Sequence, residues 1–487
     1  MTNNKSISKN YFYNTLLKVL NIIFPMITFP YIARVLSASG VGKVHFSLSV
    51  IAYFILISRV GIPMYGIREC AKYKDNKNKL SKAVQEILLI NLISLILSMF
   101  VFYLLVFYSG RLSSYKNILL ILSINVISTS LGIEWFYQAI EEYKYITIRN
   151  IIVKLLSLIL IFLFINDKSD VNIYAIILVI SLTGGYLYNF FHAQVYVNLF
   201  KKYSSYNIKR HLKPILMLFA MSISISIYVN LDKVMLGLLT NDTAVGYYTA
   251  ANKMIKVIVA LITSLSTVLL PRMSYYIENN LTKKIDNLIN KSLNFILIIA
   301  LPAVVGVFML AKQIILIFTG TGYTEAILTI KLLAPLILVI GLSNLLGVQI
   351  LISHGKERLT LISTVIGALI NFILNLILIP KYQHNGAAVA TLIAEVAVAS
   401  TQVYFAYSYL KGKINYKSLI DYCIGTFLII LTCISINYLI NNIIVVTILS
   451  VGLSSLVYFG YLHIKQNSFM LEIEEKIIEK INRGKYE

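Results

Sequence analysis

The chain has little charge and few groups capable of covalent chemistry. Only 13% of its 487 residues are Asp, Glu, Lys or Arg, about half the share of an ordinary soluble domain, which excludes a water-soluble globule. Its three cysteines, Cys70, Cys423 and Cys433, have neither metal-ligand spacing nor the even count of a disulfide framework, and read as small buried hydrophobes. Six scattered histidines without an HExxH pair exclude a recognisable zinc site, so no metal is expected. There is no GxSxG, no Walker loop and no GxGxxG, so no cofactor is expected, and nucleotide hydrolysis would need a partner protein. Carboxylates are scarcer than cations, 21 against 43, for a net charge of +22. That excess does not point to nucleic acid, because the basic residues sit in short loops between apolar runs.

What the sequence does have is apolar length: 58% of residues are hydrophobic. Runs of about 20 residues suffice to cross a bilayer. Such runs fall near 12–36, 44–63, 83–108, 117–138, 146–165, 172–198, 214–239, 246–270, 292–311, 327–352, 359–379, 387–409, 418–439 and 444–463. The first is too long for a signal-peptide core and lacks a small-residue cleavage site, so it is expected to be the first span. With both termini in the cytoplasm, 29 Lys and Arg fall in inner segments and 6 in outer loops. This positive-inside bias predicts an all-α integral membrane protein with about 14 transmembrane helices and cytoplasmic N- and C-termini. Ile-, Asn- and Lys-rich usage adds the expectation of a bacterial cytoplasmic membrane.

An internal repeat organises the spans. LSASGVGKVHF from Leu36 and LTNDTAVGYYT from Leu239 align with one inserted residue, placing Val41-Gly42 over Val245-Gly246. Leu80-Ser81-Lys82 and Leu281-Thr282-Lys283 recur at nearly the same offset. The unit is six spans, an even number, so the halves are parallel repeats related by an axis along the membrane normal. The expected organisation is two six-helix bundles, 1–205 and 206–410, around a central cavity. Helices 13 and 14 (411–464) follow, then a cytoplasmic tail (465–487). In that tail Phe469, Ile473, Ile477 and Ile481 form one apolar stripe, predicting an amphipathic helix on the inner membrane face.

FPYIARVLSASGVGKV, YGIRE (65–69), NLDKVMLG (230–237), LLPRMS (269–274) and PKYQHNGAAVAT (380–391) stand in an order that resembles the polysaccharide repeat-unit flippases. These are Wzx-type transporters of the MATE-like multidrug/oligosaccharidyl-lipid/polysaccharide exporter superfamily, and the resemblance spans nearly the whole chain. It implies alternating-access translocation of an undecaprenyl-pyrophosphate-linked oligosaccharide from the inner to the outer leaflet. Membrane lipid, and a polysaccharide polymerase with its assembly proteins, would be partners of a monomeric chain.

With Arg149, at the inner edge of 146–165, grouped with the preceding loop, eight cations lie within the predicted spans: Lys18, Arg34, Arg59, Lys154, Lys233, Lys253, Lys256 and Lys331. A Lys or Arg at a helix centre costs about 2.5–3.5 kcal/mol on insertion scales, so each should face a wet cavity or a partner, or else snorkel to an interface. Lys253 and Lys256 share one helical face. Arg34 and Lys233 occupy equivalent outer ends in the two repeats. Arg59 and Lys331 lie near span ends, where snorkelling or a headgroup contact is the simpler account. The carboxylates deepest in the spans are Glu134, Asp232 and Glu395, the last two candidates for ion pairing or ion coupling. Asn371 and Asn375, four apart, suit either sugar hydroxyls or an interhelical hydrogen bond. The candidate anion and sugar cavity is therefore Arg34, Lys18, Lys154, Lys233, Lys253, Lys256, Asn371 and Asn375. Its positive excess fits a pyrophosphate.

Two relatives of this reading stay open, a lipid II flippase and a multidrug or cation antiporter; the first span has no acid, which counts against the antiporter. A membrane polysaccharide polymerase or glycosyltransferase is the alternative of another class. The absence of a long extramembrane loop or an acidic outer cluster argues against it.

Overall fold

A computed structural model of the chain describes residues 7–410 and 415–483, and every regular element among them is a helix. In hydrocarbon each backbone N–H and C=O must be satisfied within its own segment, which helices do. Eleven helices among the described residues are long and apolar enough to cross a membrane.

Two of these are too long for one crossing and are broken by a single residue. Ser37 (φ 61°, ψ 175°) divides Ile7–Arg59, and Gln383 (φ 48°, ψ −128°) divides Glu357–Leu410. Other expected spans are interrupted rather than continuous. The fourth breaks at Gly132 and left-handed Ile133, the sixth at Gly184-Gly185, and the tenth before Leu336–Asn344, which runs on into the π-helix Leu345–Ile352. Each glycine lowers the cost of leaving the helix there. The second span ends at Arg59, and Gly61 (φ 73°) starts a separate helix, Ile62–Ala71. The Asn441-Asn442 turn is present between Tyr416–Leu439 and Ile443–Ile464, where the Asn442 side chain accepts from the Ile444 and Val445 amides.

The contacts divide the chain into two compact units, Met1–Gly246 and Tyr247–Glu487. In the first, helix Ile7–Arg59 packs against Lys77–Tyr108, Lys116–Leu131, Tyr143–Phe164 and Lys209–Leu239. The seventh expected span thus packs with the first unit, so the contact boundary lies beyond the expected 205/206 boundary. In the second unit, Thr282–Met309 packs against Tyr416–Leu439; the Tyr422 hydroxyl donates to Asn294 Oδ1 (3.0 Å), and Tyr458 donates to the Ile298 carbonyl (3.1 Å).

The C-terminal helix Ser468–Arg483 forms as expected, but its start is docked on protein. Phe469 and Met470 pack against the cluster around Tyr422 and Tyr458, and Lys291 pairs with Glu472. The side chains of Ile473, Ile477 and Ile481 lie outside the described residues.

Candidate functional site

The aligned repeat motifs touch each other. Beyond the Ser37 break the chain runs through Val41 and Gly42, and both Val41 and Val245 are fully buried. A Cβ on Gly42 would press on the Asp242 carbonyl, 2.6 Å from its carbon, and stand 2.8 Å from the Gly246 nitrogen. A Cβ on Gly246 would press on the Ala38 carbonyl, 2.7 Å from its carbon. Ala38 precedes Gly42 by four residues, and Asp242 precedes Gly246 by four. Each glycine therefore rests on the carbonyl one turn before the other, a reciprocal contact of the kind a two-fold axis generates. Only glycine allows backbones this close. Around it, Phe46 stacks on Tyr115 (4.6 Å between centroids) and lies where a Gly237 side chain would go. Tyr115 donates to Asp242 Oδ1 at 2.6 Å, and Arg111 donates to the Leu238 carbonyl.

The expected site residues do not all point the same way. In the first unit Lys18 and Arg34 are exposed, Lys233 is half-buried and Asp232 is buried. Lys154 is turned inward, 9% exposed, with its ammonium 4.6 Å from the centre of the Phe24 ring, a cation–π contact in place of a carboxylate. Arg59 was the residue most easily read as snorkelling. It is half-buried and lines a cavity of about 190 Å³ with Gly61, Pro63, Met64 and Ser222. In the second unit Lys253 and Glu395 are half-buried and Lys256 is exposed. Lys331 is half-buried with its ammonium 5.2 Å from the centre of the Phe308 ring. Asn371 and Asn375 are enclosed, and Asn375 donates to Asn371 Oδ1 at 3.1 Å. That bond lies within the one helix, Glu357–Leu410.

Two buried ionic networks were not anticipated. Arg149, counted as a loop cation by sequence, is 8% exposed within Tyr143–Phe164. It binds Glu134 at 3.0 Å and Asn189 Oδ1, with the Tyr186 ring centre 5.2 Å away. Asn189 in turn donates to the Gly132 carbonyl at 2.8 Å, satisfying backbone freed by the break there. The second network is centred on fully buried Glu86. It accepts from the Asn207 amide (2.7 Å), Arg210 (2.7 Å) and His211 Nε2 (2.9 Å), and Tyr65 of the YGIRE motif reaches His211 Nδ1 at 2.6 Å. With Nε2–H directed at Glu86, Nδ1 accepts from the Tyr65 hydroxyl. The connector into Lys209–Leu239 is thereby pinned to the starts of Ile62–Ala71 and Lys77–Tyr108. The available signal was weak: a lone Glu86 near the start of an apolar span, and basic residues 123 to 125 positions later.

No group of three or more metal-ligating side chains occurs among the described residues.

These features define a multi-pass membrane protein with the fold of the MATE-like exporter superfamily, a transporter and not an enzyme; residues 218–377 match the MatE family. Residues 7–277, more than half of the chain, match the family described as "Polysaccharide biosynthesis protein", and the chain belongs to it. A protein of Escherichia coli (strain K12) named as a candidate O-antigen transporter is 24% identical over 83% of this chain and 97% of its own length. The capsular polysaccharide biosynthesis protein CapF of Staphylococcus aureus is 23% identical over 82% of this chain and 98% of its own. Among solved structures, the lipid II flippase MurJ in an inward closed conformation superposes with a TM-score of 0.77 at 17% identity, covering 94% of this chain and all of that one.

Proposed function

We propose that the chain flips undecaprenyl-pyrophosphate-linked oligosaccharide repeat units from the inner to the outer leaflet of a bacterial cytoplasmic membrane, by alternating access, for cell-surface polysaccharide synthesis. The observation that carries this is the charge balance inside the spans. Glu134 is taken up by Arg149, Glu86 by Arg210 and His211, and Asp421 accepts from Asn467, which leaves Asp232 and Glu395 as the remaining span carboxylates against the eight cations. A cavity with that excess suits a pyrophosphate and repels a cationic drug.

On this reading Lys9–Ala71 splits at Ser37 and Glu357–Leu410 at Gln383, and Lys209–Leu239 is added, for fourteen crossings, and the positive-inside bias puts both termini inside. Bundles 1–205 and 206–410 would rock about the cavity. The Gly42–Gly246 contact then closes its outer end, and Arg34 and Lys233 stand just inside it. Lys18, Lys154, Lys253 and Lys256 are the further anion contacts, joined here by Arg59. Asp232 and Glu395 pair with neighbouring cations. Asn371 and Asn375 meet sugar only if the bundle opens.

The test uses proteoliposomes loaded with labelled lipid-linked oligosaccharide, following how fast sugar becomes accessible to an impermeant reagent. Acceleration by the protein that falls in Arg34→Ala supports the reading. Movement of lipid II but of no repeat unit would replace it with the lipid II flippase reading, on which the likeness to MurJ bears through fold alone.

A further inference from the structure

The second unit has a cavity of about 450 Å³ that none of the proposed anion contacts lines. It lies where helix Ala326–Leu333 meets the break in Glu357–Leu410, in the PKYQHNGAAVAT stretch. The break is rigid: Gln383 holds a positive φ that a side-chain-bearing residue adopts at a cost, and a Cβ on Gly386 would fall 2.6 Å from the Leu378 carbonyl carbon. Strain of this kind is retained where the surrounding structure imposes it, and it sets four consecutive polar side chains, Lys381 to His384 (with Asn385 next), at one mouth.

Their hydrogen-bonding capacity is incompletely used. His384 is 93% buried (7% exposed), its Nε2 lies 3.4 Å from the Glu325 carbonyl, and its Nδ1 has no partner among the described residues. With Nε2–H directed at that carbonyl, Nδ1 of this cavity-lining residue keeps an unused lone pair, whose complement is a donor such as a hydroxyl. Asn385 Oδ1 already accepts from Thr329 at 2.9 Å, which directs its NH₂ away as a donor. Lys381 is exposed and forms no ion pair among the described residues, and Tyr382 is largely exposed. Opposite them stand Leu328, Leu332 and Leu378. One acceptor, amide donors, an aromatic ring, an apolar wall and one cation together match a pyranose with its apolar C–H face and an acidic substituent.

We infer that this cavity is a saccharide-binding pocket, selective for an acidic sugar through Lys381, at the outer end of the second unit. It rests on the proposed function and orientation, in which the 380–386 break faces outward, and it receives glycan on the release side.

The experiment uses the full chain in nanodiscs, with Cys423→Ser removing the exposed native thiol and Leu332→Cys placed as a reporter on the wall. Maleimide labelling is timed in glucuronate, glucose or N-acetylglucosamine, at low and high phosphatidylglycerol content. Glucuronate near four times its dissociation constant is expected to slow labelling about fivefold, glucose less. Lys381→Gln should erase the preference for glucuronate, and Tyr382→Ala should weaken protection by every sugar; both positions are exposed and leave the fold intact. No protection by any sugar overturns the inference, and so does protection that follows phosphatidylglycerol alone, which would make the cavity a lipid site. The translocation assay is run in parallel. Flipping without sugar protection discards the pocket and leaves the function standing, whereas sugar protection without flipping does the reverse.

Discussion

Gly42→Ala is the sharpest perturbation the structure offers. The new methyl would overlap the Asp242 carbonyl oxygen and stand 2.6 Å from its carbon, whereas ordinary contact begins at 3.4 Å, so the two backbones must part by more than the carbon alone requires. The obstacle is main chain at the start of helix Asp242–Glu278, with no flexible side chain able to yield. Overpacking of this kind costs about 1–3 kcal/mol. If residues 37–46 separate from 240–246 in an alternative state, that state escapes the cost and its population rises about 5- to 150-fold. The assay is the labelling rate of Val41→Cys in a Cys423→Ser background, using an impermeant maleimide on oriented vesicles. Val41 is fully buried here, so labelling reports the open state. Gly246→Ala presses on the reciprocal carbonyl and should raise labelling comparably. The double variant should fall short of the product of the two, because once the contact is open the second methyl meets nothing. Folded Gly42→Ala protein that labels at the parental rate would refute the argument that this contact is the closed gate.

Other outcomes follow from the buried charges. Glu86→Ala strands His211 and removes three acceptor contacts, and should lower stability by about 3 kcal/mol, read as earlier loss of the monodisperse peak on heating in detergent. Arg149→Leu should destabilise by a similar amount, about 3 kcal/mol, and Arg149→Leu with Glu134→Leu by clearly less, because no unpaired charge remains. Lys253→Gln with Lys256→Gln should slow translocation about tenfold or more, the effect of losing one or two charge-assisted contacts to the anion, with membrane levels unchanged. Unchanged transport in that double variant and in Arg34→Ala would remove these residues from the path.

The apolar runs were legible because bilayer thickness sets their length, and the repeat because Val41-Gly42 and Val245-Gly246 recur in register. The side that each span cation faces was not. Hydrophobic periodicity marks the buried face of a helix only when the opposite face meets water. In a membrane both faces are apolar, so depth along the chain could not tell inward Lys154 from outward Lys18. Arg149 was missed for a related reason. Its helix starts at Tyr143, inside what reads as a polar loop, and its partners Glu134 and Asn189 lie on segments whose breaks at Gly132 and Gly184-Gly185 interrupt apparently continuous spans.

The repeat also explains why its most informative positions carry no side chain. Two copies of one motif that meet about a two-fold axis present the same atoms to each other, so any charge or bulky group at the axis would meet its own kind. A glycine on each side is the arrangement with the least conflict, and it lets Gly42 rest by the Asp242 carbonyl while Gly246 rests by the Ala38 carbonyl. The copies differ around the shared Val-Gly pair, and at one of these positions Asp242 stands for Ala38 and acquires Tyr115 as a hydrogen-bond donor. That bond belongs to one copy alone, so it can hold the contact shut without disturbing the shared backbone fit. Tyr115→Phe should therefore raise Val41→Cys labelling by about 10- to 150-fold, the worth of one hydrogen bond to a charged acceptor at ~1.5–3 kcal/mol, and Gly42→Ala should match or exceed it. The reverse order would place the lock in the side chains, with the glycines merely permissive.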